Sequence, residues 1–259
     1  MGIVNVTKDS FYANSRANSE KELISIIEKH IEEGAAMIDI GAMSTRPGAV
    51  EIPLNEEVKA IEWALKIVKE QQYKVLISVD TYRYAVAKMA IDMEVDFIND
   101  ISCGDDLDLI KLVAALDIGY IGMHKKGMPN NMQENPNYIN VVEEIAAYFI
   151  KKNKYLTDNG INNWIIDPGF GFGKTIAHNY LLLKNLSVFK KFLNQPLIVG
   201  ISRKGMIYKP LGISASDSLN GTTAAHALAL MGGANVLRVH DTQAAMQAIK
   251  IVEMYQANF

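Results

Sequence analysis

Residues 167–175 read Asp-Pro-Gly-Phe-Gly-Phe-Gly-Lys-Thr, with glycine at every second position and then lysine and threonine. The residue types suit a phosphate cradle, but the spacing does not. A P-loop needs two glycines five residues apart before its Lys-Thr pair, so that successive backbone N–H groups wrap a phosphate. Five residues before Gly173 stands Pro168. The dinucleotide fingerprint G-x-G-x-x-G fails too, because its third glycine arrives one residue early. What remains is Asp167, at the end of an apolar run and ahead of a glycine-rich turn. An ionised carboxylate placed there accepts two parallel hydrogen bonds from a planar N–H/NH2 edge.

Comparable residues close seven other apolar runs: Asn5, Asp39, Asp80, Asn99 with Asp100, His124, Ser202, and Arg238 with His240. Taken singly, Asp or Asn after a strand is more often a turn former or helix cap than a catalyst. Eight polar endings together imply a concave floor ringed by hydrogen-bonding groups. The acids and amides suit a neutral, donor-rich heterocycle, whereas Arg46, Lys204 and Arg238 suit an anion. A ligand with an aminopyrimidinone ring at one end and phosphates at the other satisfies both sets.

The elements that must position these residues alternate along the chain. The expected strands are 2–7, 37–41, 75–81, 97–101, 119–124, 163–169, 196–202 and 235–240, short and apolar as parallel strands buried on both faces are. Amphipathic helices lie between them. One opens with Ser19 and Glu22 in capping-box spacing, puts Leu23, Ile27 and Ile31 on one face and closes at Gly34. A second carries Val58, Ile61, Leu65 and Val68, and a third starts at Asn140. Eight βα units in succession predict a (β/α)8 TIM barrel in one domain over residues 1–259, with a doubly wound open sheet as the competing reading. Three strand-to-helix connections, 8–18, 42–54 and 125–138, are about a dozen residues long, and loops of that length usually work. In a barrel they emerge at the C-terminal face, where such enzymes keep their sites.

Composition narrows the function classes. The 259 residues are 49% apolar with a net charge of −3, so neither a nucleic-acid nor a membrane surface is expected. The single cysteine, Cys103, fits a reducing compartment. No apolar run approaches the ~18 residues of a membrane span. "MGIVNVT" lacks a signal peptide's cationic start and apolar core, so the expected location is cytoplasmic.

In order along the chain stand "MGIVNVTKDSF", "STRPGA", "SVDTY", "FINDI", "GMH", "DPGFGFGKT", "HNYLLL", "PLIVGISRKGMI" and "LNGTTAAHALALMGGANVLRVHD". Over essentially its whole length the chain therefore resembles the dihydropteroate synthase family. Members are TIM-barrel enzymes that join p-aminobenzoate to 6-hydroxymethyl-7,8-dihydropterin diphosphate, releasing diphosphate. The resemblance implies that Asp167, Asn99, Asp80, Met123, Phe172, Lys204 and Arg238 meet the pterin. Asp80, Lys204, Arg238 and Arg46 would carry the chemistry, an SN1-like departure of diphosphate with Asp80 near the pterin cation. Asn5, Arg46, Arg238 and His240 match the diphosphate pocket, and Asn5 the Mg2+ position. Thr45, Pro47, Ser202 and Phe11 match the p-aminobenzoate pocket; Asp9, Ser10 and Phe11 belong to a first closing loop and Arg46 to a second. The family's homodimer makes the small-residue run 221–234 a possible interface as well as a closely packed helix. Asp39 and His124 are left open between site and structural roles.

Three departures stand out. Lys8 replaces the usual proline, Ala42-Met43 the usual Gly-Glu, and relatives carry a further segment before a first strand that here begins at about residue 2. The alternatives are a methyltransferase moving a methyl from methyltetrahydrofolate to a corrinoid, or an inactive pterin-binding relative. The methyltransferase would share Asp167 and Asn99 but has no need of Arg46, Arg238 and His240.

Overall fold

The computed structural model describes residues 1–6, 19–42, 52–127 and 136–257. β1 (Gly2–Asn5) precedes α1 (Glu20–Glu32), β2 (Met37–Gly41) precedes α2 (Leu54–Gln71), and β3 (Leu76–Asp80) precedes α3 (Tyr84–Asp92). β4 (Phe97–Asp100) leads to α4 (Leu107–Ala115), and β5 (Gly119–Met123) to α5 (Val141–Asp158). Two helices, α6 (Ile176–Lys184) and α7 (Ser187–Phe192), follow β6 (Trp164–Asp167). Two more, α8 (Gly205–Leu211) and α9 (Leu219–Met231), follow β7 (Ile198–Val199). β8 (Val236–Leu237) and α10 (Thr242–Gln256) complete the order.

All eight expected strands form, and all pair in parallel. β1 to β6 make one continuous ladder and β7–β8 a second. Backbone bonds close the ring between them. Ile166 N donates to Pro196 O at 2.9 Å, and Ile3 N and Val239 N donate to Val239 O and Met1 O, each at 2.9 Å. The result is a TIM barrel, and the open-sheet reading is set aside. β7 and β8 are shorter than the apolar runs 196–202 and 235–240 because side chains and shared bonds interrupt their ladder. Asn235 Oδ1 accepts from Leu197 N, while Asn235 N and Val236 N both donate to Leu197 O.

The helices form where periodicity and caps place them. Ser19 caps α1 by accepting from Glu22 N at 3.3 Å, and Asn140 caps α5 by accepting from Val142 N and Glu143 N. Leu23 and Ile27 of α1 are fully buried; the third buried residue is His30, not Ile31. His30 is satisfied there by Thr242 Oγ1 at 2.8 Å and Ile3 O at 3.2 Å, which is what lets a polar ring enter the core. One apolar core runs from Val4 to Ala245.

Candidate active site

The strand register lines up the polar endings on one rung. Asn5 pairs with Gly41, Gly41 with Asp80, and Asp80 with Asn99, all at the C-terminal ends of β1 to β4. Asp39 lies two residues before Gly41 and so shares its face. It is completely buried and gathers three strands. Its Oδ1 accepts from Ser78 Oγ at 2.6 Å, and its Oδ2 accepts from Asn99 Nδ2 at 3.0 Å and Arg238 Nε at 2.6 Å. Arg238 reaches from beyond β8 and also donates through Nη2 to Asp80 Oδ2 at 2.8 Å. One guanidinium thus bridges two carboxylates, a task its planar fork of donors suits. The role left open for Asp39 is settled by this geometry: it orients Asn99 and Arg238.

Burial raises Asp80 to about 7; Arg238 opposes the rise, while Asp39, Glu57 and Asp100 add to it. Burial works against the Arg238 cation, but Asp39 and Asp80 outweigh it and hold its proton more firmly than usual.

Asp167 closes β6 beside Met123 of β5, its register partner. Its Oδ1 accepts from Gly169 N at 2.8 Å, which holds the carboxylate against the turn. The alternate glycines are explained here. Gly169 and Gly173 have φ of +70° and +65°, and a Cβ on either would run into a carbonyl of the β5–α5 connection, His124 O or Lys126 O. The turn is therefore laid flat on the neighbouring strand end. Lys204 Nζ donates to Phe170 O at 2.7 Å and lies 4.8 Å from the centroid of the Phe172 ring. Burial raises the Asp167 pKa, opposed first by Lys204. It lowers Lys204 to about 8 and Lys174 to about 7, with Asp167 opposing both.

The two halves meet across Gly200, where a Cβ would stand 3.8 Å from Lys204 Nζ and 4.0 Å from Arg238 Cβ. Asp167 and Arg238 act on each other electrostatically. Ser202 and His240 form the third group: Ser202 Oγ lies 3.0 Å from His240 Nδ1 and accepts from His240 N at 3.2 Å. Burial, then Arg238, push His240 down to about 3, so it is an uncharged donor at neutral pH rather than a cation. Arg46, Thr45, Pro47 and Phe11, with Asp9 and Ser10, lie outside the described residues.

Two strand-end residues are taken up by neighbouring groups. Asp100 is fully buried and accepts from Ser102 N, Gly104 N and Tyr120 Oη, so it shapes the turn after β4 and leaves the floor to Asn99. His124 packs edge-on against Tyr148 and touches Lys174 instead of facing the floor.

Several supporting residues were not singled out from sequence. Glu57 is a buried acid on the apolar face of α2, four residues before Ile61; it accepts from Thr81 Oγ1 and Arg83 Nη1 just behind Asp80. A glutamate on that stripe was the available signal. Arg203, between Ser202 and Lys204, has φ +54° and turns away from the floor to grip Asp241 through Nε at 2.7 Å and Nη2 at 2.9 Å. That left-handed residue is what sends its two neighbours inward. Arg203→Met is expected to destabilise the protein by about 3 kcal/mol, because it strands Asp241 and two loop carbonyls. Denaturant melts check this.

Asn5, half-buried at the end of β1, offers one amide oxygen to a metal. Among the described residues no group of three or more His, Cys, Asp or Glu could hold an ion. Such a donor set fits Mg2+ only if a bound diphosphate and water supply most ligands.

Comparison with known proteins agrees with this layout. Residues 1–240 match the family described as pterin binding enzyme. The dihydropteroate synthase of Escherichia coli K12 is 38% identical over 255 residues, covering 98% of this chain and 90% of that one. The Yersinia pestis dihydropteroate synthase solved with a sulfonamide drug superposes with a TM-score of 0.93 at 35% identity, covering 98% and 92%. The Burkholderia cenocepacia enzyme, complexed with 7,8-dihydropteroate, does so with a TM-score of 0.86 at 31% identity, covering 98% and 90%. With nearly the whole chain matched, this protein belongs to the pterin-binding enzyme family.

Proposed function

We propose that the chain is a dihydropteroate synthase, condensing 6-hydroxymethyl-7,8-dihydropterin diphosphate with p-aminobenzoate to give 7,8-dihydropteroate and diphosphate. The observation that carries this reading is the single floor on which Asp167 and the Asp39–Arg238–Asp80 bridge stand either side of Gly200 and Lys204.

In this reading Asp167 accepts from the two-donor edge of the pterin, with Asn99 and Met123 beside it and Phe172 against the ring. Arg238, Arg46 and His240 donate to the diphosphate. The bond from the exocyclic methylene to the diphosphate oxygen breaks first, its electron pair leaving on the diphosphate. Asp80 faces the positive charge that develops, as fixed electrostatic stabilisation requires. The amine of p-aminobenzoate, held near Ser202, Thr45, Pro47 and Phe11, then forms the C–N bond and loses a proton. Asn5 would hold Mg2+ with diphosphate oxygens; when bound, the ion neutralises leaving-group charge. The diphosphate contacts disfavour the corrinoid methyltransferase, which has no such leaving group.

We also propose a cytoplasmic homodimer. Supporting it, Leu228 and Met231 of α9 and Ile251, Met254 and Tyr255 of α10 expose apolar surface, and Gln256 Nε2 reaches Met231 Sδ between the two helices. No helix among the described residues is long and apolar enough to cross a membrane.

The test is turnover. Diphosphate release should require p-aminobenzoate and Mg2+ and match dihydropteroate formation one for one; pterin binding without product would leave the inactive-relative reading in place. A pH profile adds a sharper expectation. For the pterin substrate, kcat/KM should rise through about 7 as Asp80 ionises. It should fall again as Lys204, held near 8, loses its proton. Asp80→Asn should remove the acid limb.

A further inference from the structure

Lys174 is a buried cation to which the reaction above gives no task. Its side chain ends inside the glycine turn, 2% exposed, with no carboxylate in an ion pair among the described residues. Nζ donates instead to Gly169 O at 2.8 Å, Phe172 O at 3.1 Å and, more weakly, His124 O at 3.4 Å, and it lies 3.0 Å from His124 Nδ1. Burying an ammonium is costly unless fixed dipoles offset it, so a cradle of three carbonyls and an imidazole is a built feature. Burial, then Lys174 itself, hold His124 down to about 2, which keeps its ring neutral and able to accept.

The cradle's members are informative. Gly169 and Phe172 are the two ends of the tight turn, joined by Phe172 N to Gly169 O. Gly169 N is also the donor that holds Asp167. On the other side, Lys204 takes the intervening carbonyl of Phe170. The turn is pinned from both faces, Lys174 anchoring it to the end of β5 and Lys204 to the end of β7.

We propose that Lys174, with His124 as its neutral acceptor, is a positioning residue for the pterin subsite: its ammonium fixes the turn so that the Asp167 carboxylate and the Phe172 ring keep their angle to the substrate. The inference rests on the reading of Asp167 as the pterin-holding carboxylate. The Lys174 cradle contains none of the residues assigned to p-aminobenzoate or diphosphate, so its loss should show in one substrate only.

The experiment uses the full chain carrying Lys174→Ala, with steady-state kinetics in both substrates. The KM for the dihydropterin diphosphate should rise about thirtyfold while that for p-aminobenzoate moves less than about threefold. Propylammonium chloride, which restores the atoms removed, should recover at least about fivefold of the loss, and propanol with sodium chloride should recover none. Should the alanine variant not fold, His124 carries the test. His124→Leu should raise the pterin KM about tenfold and His124→Gln, which keeps an acceptor, by less than about threefold. Equal losses in both substrates, an unchanged pterin KM in a folded variant, or Leu and Gln behaving alike would overturn the proposal. If the unmodified protein itself fails to bind the pterin substrate, the function falls instead.

Discussion

Replacing Asp167 by asparagine is expected to weaken pterin binding by roughly a hundredfold while leaving the protein folded. The amide can still accept from Gly169 N through its oxygen, so the turn keeps its shape. What it loses is the second acceptor and the charge, and it turns a donor toward a donor edge. Thermal stability should change little at neutral pH. The desolvation that raises the Asp167 pKa disappears with the carboxylate, and so does the attraction it gives Lys204 and Lys174. Calorimetric titration with a pterin, alongside a melting curve, separates the two effects. A variant that unfolds would make Asp167 a structural cap.

Arg238→Met should be the most damaging single change to stability. It leaves Asp39 and Asp80 facing each other, both buried, with no cation bridging them. Removing one partner of a buried ion pair costs about 3–5 kcal/mol, and two carboxylates depend on this one. The loss should depend on pH. Asp80 has a folded pKa raised above its ordinary value, so the folded state holds its proton more tightly than the unfolded chain does. The stability this group contributes is fully present below the ordinary carboxylate range and is lost as pH rises through about 7. Without Arg238 opposing the shift, that loss deepens. Arg238→Met should therefore lag the unmodified protein most at pH 8 and least at pH 5. A gap independent of pH would mean that the two carboxylates are held apart by something else.

Most of the scaffold is legible because parallel strands announce themselves as short apolar runs and helices as capped stripes. Ser19 and Asn140 cap where their spacing says, and β1 to β6 fall within the expected segments. The ends of β7 and β8 were less legible, since Asn235 takes a ladder position through its side chain, a tertiary event with no local mark. At the site, Asp80, Asn99, Asp167, Lys204 and Arg238 come together as their strand-end positions imply. Asp39 was left open between site and structural roles, and only the register shows that it lies a rung below and bonds to Ser78, Asn99 and Arg238. Lys174 and Arg203 went unread for a related reason. Neither carries a local mark of its partners, which are backbone carbonyls for Lys174 and Asp241 with two loop carbonyls for Arg203. The motifs thus hold internal bracing beside the residues assigned to the substrate.

The most direct measurement is a structure of the protein with the dihydropterin diphosphate bound. The account predicts the amino-pyrimidinone edge within hydrogen-bond distance of the Asp167 carboxylate and the diphosphate against Arg238 and His240, in one continuous cavity. A ring seated away from Asp167, or a diphosphate on the far side of the barrel wall from Arg238, would contradict it.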